Sequence, residues 1–332
     1  MPTLVVDPRN PDPAAIRQAA GTLKRGGLVA FPTETVYGLG AAALDPEAAA
    51  RIFAAKGRPS YNPLIVHVAD AAAARALAAE WSEDARRLAE RFWPGPLTLV
   101  VPKRPEVPDP VTAGLPSVAL RVPAHPVAHA LLREAGIPVA APSANRSTQV
   151  SPTTAAHVER SLGDRVDLIL DGGPTSVGIE STVVSLVGGV PTLLRPGTIS
   201  VEELRAVVGE VALPSASAGG HAARPSPGML DRHYAPRAEL RLVEPGRGAS
   251  PMEAPGGWDG ATAVMALAGH AYPAGFRVVV MPTDAREYAA RLYETLHRLD
   301  DEGFERILVE LPPDTPEWAG VRDRLRRAAH PG

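Results

Sequence analysis

Leu28-Val-Ala-Phe-Pro-Thr-Glu-Thr-Val-Tyr-Gly-Leu-Gly40 is the stretch on which the fold turns. Its apolar start, 28–31, reads as a strand, and the loop that follows exposes two threonines, a glutamate and a tyrosine. Asp45-Pro46 then announces a helix over 46–55, since aspartate suits the N-cap and proline the first helical position. Working outward, further strands are expected at 64–68, 97–101, 118–122, 139–141, 168–170 and 182–187. Helices are expected at 14–24, 83–92, 126–134, 154–162 and 201–208. Such alternation predicts an α/β layer fold.

The chain has 332 residues, more than one compact core organises, so two domains are expected. Residues 214–236 contain Ser-Ala-Ser-Ala-Gly-Gly and Arg-Pro-Ser-Pro-Gly with little apolar periodicity, and read as a linker. This divides the chain into 1–213, the linker 214–236 and a smaller α/β domain, 237–332. In that domain strands are expected at 240–243, 263–267, 278–281 and 307–310. Two amphipathic helices bring Ala289, Leu292, Leu296 and Leu299 to one face, and Trp318, Val321, Leu325 and Ala328 to another.

Composition narrows the chemistry. Cysteine is absent, which excludes disulfides, zinc–thiolate sites and thiol nucleophiles. A net charge of −3 argues against a broad polyanion-binding surface but permits a local basic pocket. The N-terminus lacks a signal-peptide pattern and no apolar run approaches a membrane span, so a cytoplasmic protein is expected.

Lys56-Gly57-Arg58-Pro59 ends the 46–55 helix, where cations suit the negative dipole and glycine the C′ position. Only three of the 34 basic residues are lysines, which suggests that Lys56 supplies a compact charge, as at a phosphate. Gly38-x-Gly40 is a poor dinucleotide fingerprint, because six residues separate its first glycine from the strand. Ala141-Pro-Ser-Ala-Asn145 leaves a strand end, the usual ligand edge of an open sheet. Arg121 ends a strand, Glu180-Ser-Thr182 opens one, and Arg195 precedes Pro196-Gly197. His125 and His129 lie four apart on a helix but lack a third partner, so no metal site is expected.

Taken in order, 31–40, Lys56-Gly-Arg-Pro59 with Asn62-Pro-Leu-Ile-Val-His67, Ser143-Ala-Asn145, Glu180-Ser-Thr182 and Arg195-Pro-Gly197 closely resemble the YrdC-like family of threonylcarbamoyl-AMP synthases. Ser226-Pro-Gly-Met229 and Arg232-His-Tyr-Ala-Pro236 resemble the linker of its long, two-domain form. Leu230-Asp231 stands where that pattern has a more basic or aromatic pair.

The resemblance implies an open twisted α/β sheet with a cationic concave site, plus a smaller Rossmann-like domain. It implies a nucleotidyltransferase that makes threonylcarbamoyl-AMP and pyrophosphate from L-threonine, bicarbonate and ATP, with Mg²⁺ held mainly by the nucleotide. A tRNA threonylcarbamoyl transferase would take the product, and direct tRNA binding would be weak or absent. Carried onto this sequence, Lys56 and Arg58 become the catalytic cations. Lys56, Arg58, Asn62, Ser117, Ser143, Asn145, Ser151, Arg195 and Tyr234 face ATP, while Thr35, His67, Arg121 and Ser181 face threonine. Two rivals are an RNA-binding module using the same basic cleft and a carbamoyl transferase. The first would need a wide basic stripe; the larger members of the second carry zinc-finger cysteines that this chain lacks.

Overall fold

The computed structural model describes residues 2–213, 232–244, 261–268, 272 and 276–330. The linker residues Ser226–Met229, Leu230 and Asp231 lie outside these described residues. The first unit runs β1 (Thr3–Val5), α1 (Pro13–Lys24), β2 (Val29–Phe31), β3 (Gly38–Ala42), α2 (Pro46–Lys56), β4 (Ile65–His67), α3 (Ala71–Arg75), α4 (Glu83–Phe92) and β5 (Leu97–Pro102). It continues α5 (Asp109–Thr112), β6 (Ser117–Arg121), α6 (Pro126–Ala135), β7 (Val139–Ala140), α7 (Ala155–Leu162), β8 (Leu168–Asp171), β9 (Thr182–Ser185), β10 (Thr192–Arg195) and α8 (Val201–Val208).

The ten strands form one sheet in the order β1-β8-β2-β3-β7-β4-β6-β5-β9-β10. It is mixed: β4–β6 and β5–β9 are parallel, β2–β3 and β5–β6 antiparallel. Helices α1 and α6 cover part of one face, with Ile16, Leu23, Val127 and Leu131 packed on Phe31, Val139 and Leu170. The expected start of α2 is present, Asp45 accepting from the amides of Glu47 and Ala48 with proline at the first turn.

One expectation changes here. Gly38–Ala42 is strand β3, paired antiparallel with β2, so the loop at 32–37 joins two strands rather than a strand and a helix. Gly-Leu-Gly-Ala-Ala lacks the β-branched residues that announce a strand. Its small residues serve close packing: a Cβ on Gly40 would lie 2.8 Å from the Phe31 ring and 2.9 Å from Val139. Strands β1 and β10, at the two sheet edges, were also not anticipated.

The second unit is β11 (Glu239–Val243), β12 (Thr262–Leu267), β13 (Arg277–Met281), α9 (Ala285–Asp301), β14 (Arg306–Glu310) and α10 (Ala319–Ala328). Its strands are all parallel, in the order β11-β14-β12-β13. Both expected helix faces are buried. Their core does not stop at the unit's edge, for Val36, Val150, Ile179 and Tyr234 pack into it.

Glycines set how closely the two units meet. A Cβ on Gly320, at the start of α10, would lie 2.5 Å from the Gly197 carbonyl oxygen. Two backbones cannot yield as a side chain does, so Gly320→Ala should destabilise the chain by about 1–3 kcal/mol. Thermal melting checks this, and an unchanged midpoint would show that the seam tolerates a methyl group.

Candidate active site

Alternation along β4 puts Ile65 and His67 on one face of the sheet, and along β6 it does the same for Ser117, Ala119 and Arg121. Ile65, Val100, Ala119, Val183 and Leu194 make an apolar patch on that face. The cleft lies over the sheet face, not only at a strand edge as Ser143 had suggested. The cavity is narrow, about 40 Å³, and opens to solvent. Thr33, Thr35, Arg58, His67, Arg121, Ser143, Glu180, Ser181, Arg195, His233 and Tyr234 all border it.

The rim loop is built by its own hydroxyls. Thr33 Oγ1 donates to the Val36 carbonyl at 2.6 Å and lies 2.8 Å from Thr35 Oγ1. At the end of α2, Gly57 takes a left-handed φ of 61°, which turns Arg58 back toward the sheet. Arg58 Nε then donates to Asn62 O (3.1 Å) and Nη2 to Pro63 O (2.8 Å), so the main chain fixes the guanidinium. Asn62 is buried and both atoms of its side-chain amide lack a partner.

Lys56 stands directly behind the Ser143 segment of the cleft wall. It is buried, and its ammonium donates to Ser143 O at 2.6 Å, to Asn145 O and to Asn145 Oδ1 at 3.4 Å. It does not border the cleft; it fastens the loop that carries Ser143 and Asn145. Burial and the nearby Arg58 charge lower its pKa well below the ordinary lysine value, against an opposing pull from Glu180.

At the other end, Arg121 is already paired: its Nη2 lies 2.6 Å from Glu34 Oε1, and Glu34 Oε2 accepts from the Ala124 amide. Ser181 Oγ sits 2.7 Å from Thr98 Oγ1, and Arg195 reaches both the oxygen and the hydroxyl of Ser181. Ser151 is fully buried and donates to Glu180 Oε1 at 2.5 Å, so its hydroxyl is turned from the cleft into a carboxylate. Ser117 does not border the cleft; it stands at the far end of β6, about 13 Å from Arg121 by strand rise. Tyr234, at φ 62°, stacks on Tyr293 and leaves its hydroxyl buried without a partner. His125 and His129 serve structure, the first capping α6 and the second meeting the Ala69 carbonyl.

Glu34, Glu180, His233 and Arg324 were not picked out from sequence. Burial raises the Glu180 carboxyl, but the charges of Arg324 and Arg195 and two hydrogen bonds outweigh it and hold the pKa at about 2. Burial pushes His67 and His233 from 6.5 down to about 3; Arg121 adds to the first, and for the second Glu180 opposes while Arg58, Lys56 and Arg195 reinforce.

Both rings are therefore neutral at pH 7, and below 6.5 the unfolded chain binds more protons than the folded one. Their contribution is complete above about 6.5 and drains away as pH falls toward 3, by up to about 1.4 kcal/mol per pH unit per ring. The melting temperature should decline steadily from pH 6.5 to 4. A midpoint constant over that range would contradict the buried neutral imidazoles.

A two-unit α/β protein whose cleft gathers buried arginines, hydroxyls and unpartnered polar groups is built for a small, polar, anionic ligand. Residues 21–197 match the Sua5/YciO/YrdC family, described as "Telomere recombination", and residues 199–330 match the "Threonylcarbamoyl-AMP synthase, C-terminal domain". The chain is 41% identical to the threonylcarbamoyl-AMP synthase of Bacillus subtilis over 98% of this chain and 96% of that one. It is 44% identical to the Pyrococcus abyssi protein of that name, over 95% and 94%. The structure of Pyrococcus abyssi Sua5 complexed with L-threonine superposes with a TM-score of 0.89 at 40% identity, covering 99% of this chain and 98% of that one. The chain belongs to the threonylcarbamoyl-AMP synthase family.

Proposed function

We propose that this chain condenses L-threonine, bicarbonate and ATP to threonylcarbamoyl-AMP and pyrophosphate, for threonylcarbamoyladenosine modification of tRNA. The observation that carries this is the meeting of five separate sequence segments around one cleft with three arginines in its wall. Arg121, with His67, Thr35 and Ser181, takes threonine, because a guanidinium grips a carboxylate through paired hydrogen bonds. Arg58, Asn62, Ser143, Asn145, Arg195 and Tyr234 take ATP, with Ser117 at the far end of β6 as an outlying nucleotide contact. Lys56, which fastens the Ser143–Asn145 loop, would meet the phosphates beside Arg58 as a second catalytic cation, and Ser151, bonded to Glu180, belongs to the same nucleotide half.

The carbamate of threonine is an oxygen nucleophile that already carries its charge. Its oxygen forms a bond to the α-phosphorus as the bond to pyrophosphate breaks, a step that needs positioning and charge neutralisation rather than a strong base. Glu180, which borders the cleft, is engaged by Arg324, and Glu34 behind Arg121 is engaged by that arginine, so Mg²⁺ would arrive with ATP, held by phosphate oxygens and water. Among the described residues no group of three metal-ligating side chains is present and no helix is long and apolar enough to cross a membrane. His233 and Tyr234 wall the cleft on its second-domain side, which would keep water from a hydrolysable adenylate. The product would pass to a tRNA-modifying transferase in the cytoplasm with little direct tRNA binding, since the three arginines that line the cleft are buried.

Pyrophosphate release tests the reading. With ATP and bicarbonate present, release should depend on added L-threonine. Release indifferent to threonine, together with salt-sensitive RNA binding, would favour the RNA-binding module instead.

A further inference from the structure

We propose that Arg324, on α10 of the second unit, is a positioning and charge-balancing residue for the nucleotide half of the active site. The proposal rests on the synthase reading above. Its side chain is fully buried at the seam and reaches three segments of the cleft at once. Nε donates to Glu180 Oε2 at 2.7 Å, Nη2 to the Glu180 carbonyl at 3.2 Å and Nη1 to the Pro196 carbonyl at 2.9 Å. The guanidinium carbon lies 5.2 Å from the centre of the Tyr234 ring.

Those contacts bear on groups that border the cleft. Glu180 precedes Ser181, whose carbonyl holds the Arg195 guanidinium, and Pro196 follows Arg195. Arg324 thus clamps Arg195 from both sides without touching the cleft itself. The remaining acceptor sites on the Glu180 carboxylate take the hydroxyls of Ser151 (2.5 Å) and Tyr293 (3.1 Å), neither of which brings a positive charge. Nη1 of Arg324 also donates to Asp323, which takes a second bond from Arg327. Without Arg324, the Glu180 carboxylate would stand in the cleft wall facing a polyphosphate, and Arg195 would be drawn toward Glu180 instead of the ligand. A domain that carries none of the sequence motifs of the cleft thereby sets its charge.

The test uses the full chain, with ATP titrated calorimetrically and the threonine-dependent pyrophosphate assay run alongside. Arg324→Met should raise KM for ATP about 10- to 100-fold, with a smaller fall in kcat. Adding Glu180→Gln removes the uncompensated charge, so the Glu180→Gln/Arg324→Met chain should recover most of the ATP affinity. A residue that merely glued the domains would give no such recovery. Should Arg324→Met fail to fold, Arg324→Lys keeps the charge but not the fork, and a rise in KM of several-fold is expected. ATP affinity unchanged in Arg324→Met or Arg324→Lys, or a double variant no tighter than the single one, overturns the proposal. A native chain that binds no ATP would sink the synthase reading, a separable outcome.

Discussion

Arg58→Ala is expected to reduce threonine-dependent pyrophosphate release about 10²- to 10³-fold. Two nitrogens of the guanidinium are tied to the Asn62 and Pro63 carbonyls, while the residue borders the cleft. A cation fixed in this way needs no reorganisation when charge develops on a departing pyrophosphate, and such a group contributes roughly 3–4 kcal/mol. Arg58→Lys should not rescue it, because an ammonium on a flexible stem cannot meet both carbonyls and still face the ligand. Lys56→Met provides the contrast. Its loss would leave three oxygens of the Ser143–Asn145 loop without a donor, at about 1–3 kcal/mol each, so activity and melting temperature should fall together. Native-like turnover in Arg58→Ala, measured at saturating ATP and threonine, would remove Arg58 from the phosphates.

The contrast between these two neighbours shows where a sequence is readable. Asp45, Pro46 and Gly57 announced α2 because caps and left-handed turns are local chemistry that acts within a few residues. Arg58 beyond the turn borders the cleft, whereas the carbonyls that Lys56 serves are about ninety residues away, out of reach of any local signal. Glu34 sits inside the stretch that decided the fold, yet only the structure reveals its partner, Arg121. Arg324 was hidden more thoroughly. An arginine beside Val321 and Leu325 on an amphipathic helix reads as a solvated edge, and the carboxylate that holds it belongs to another domain. His233 and Tyr234 were visible as a motif, but the positive φ of Tyr234 and its stacking on Tyr293 depend on α9. Through-space pairs between buried charges thus escaped, as did the short strands β1, β3 and β10, whereas the caps and apolar runs of the longer elements did not.

Arg121→Ala should raise the threonine concentration needed for half-maximal turnover by about 10²- to 10³-fold and lower the melting temperature as well. Two effects are superimposed in that result. Arg121 and Glu34 form an ion pair of 2.6 Å with side chains 4% and 9% exposed, so deleting the cation strands a buried carboxylate, at about 3–5 kcal/mol. The same deletion takes away the donor proposed for the amino acid's carboxylate and leaves Glu34 to repel it. Adding Glu34→Gln separates the two. In Arg121→Ala/Glu34→Gln the stranded charge is gone, so thermal stability should largely return, while no donor has been restored and threonine affinity should stay low. Calorimetric titration with L-threonine, paired with melting curves on both chains, reads each effect independently. Threonine binding that recovered in step with stability would mean that Arg121 serves only to hold Glu34, and the carboxylate would have to be sought by another donor such as the Arg195 guanidinium at the Ser181 end of the cleft.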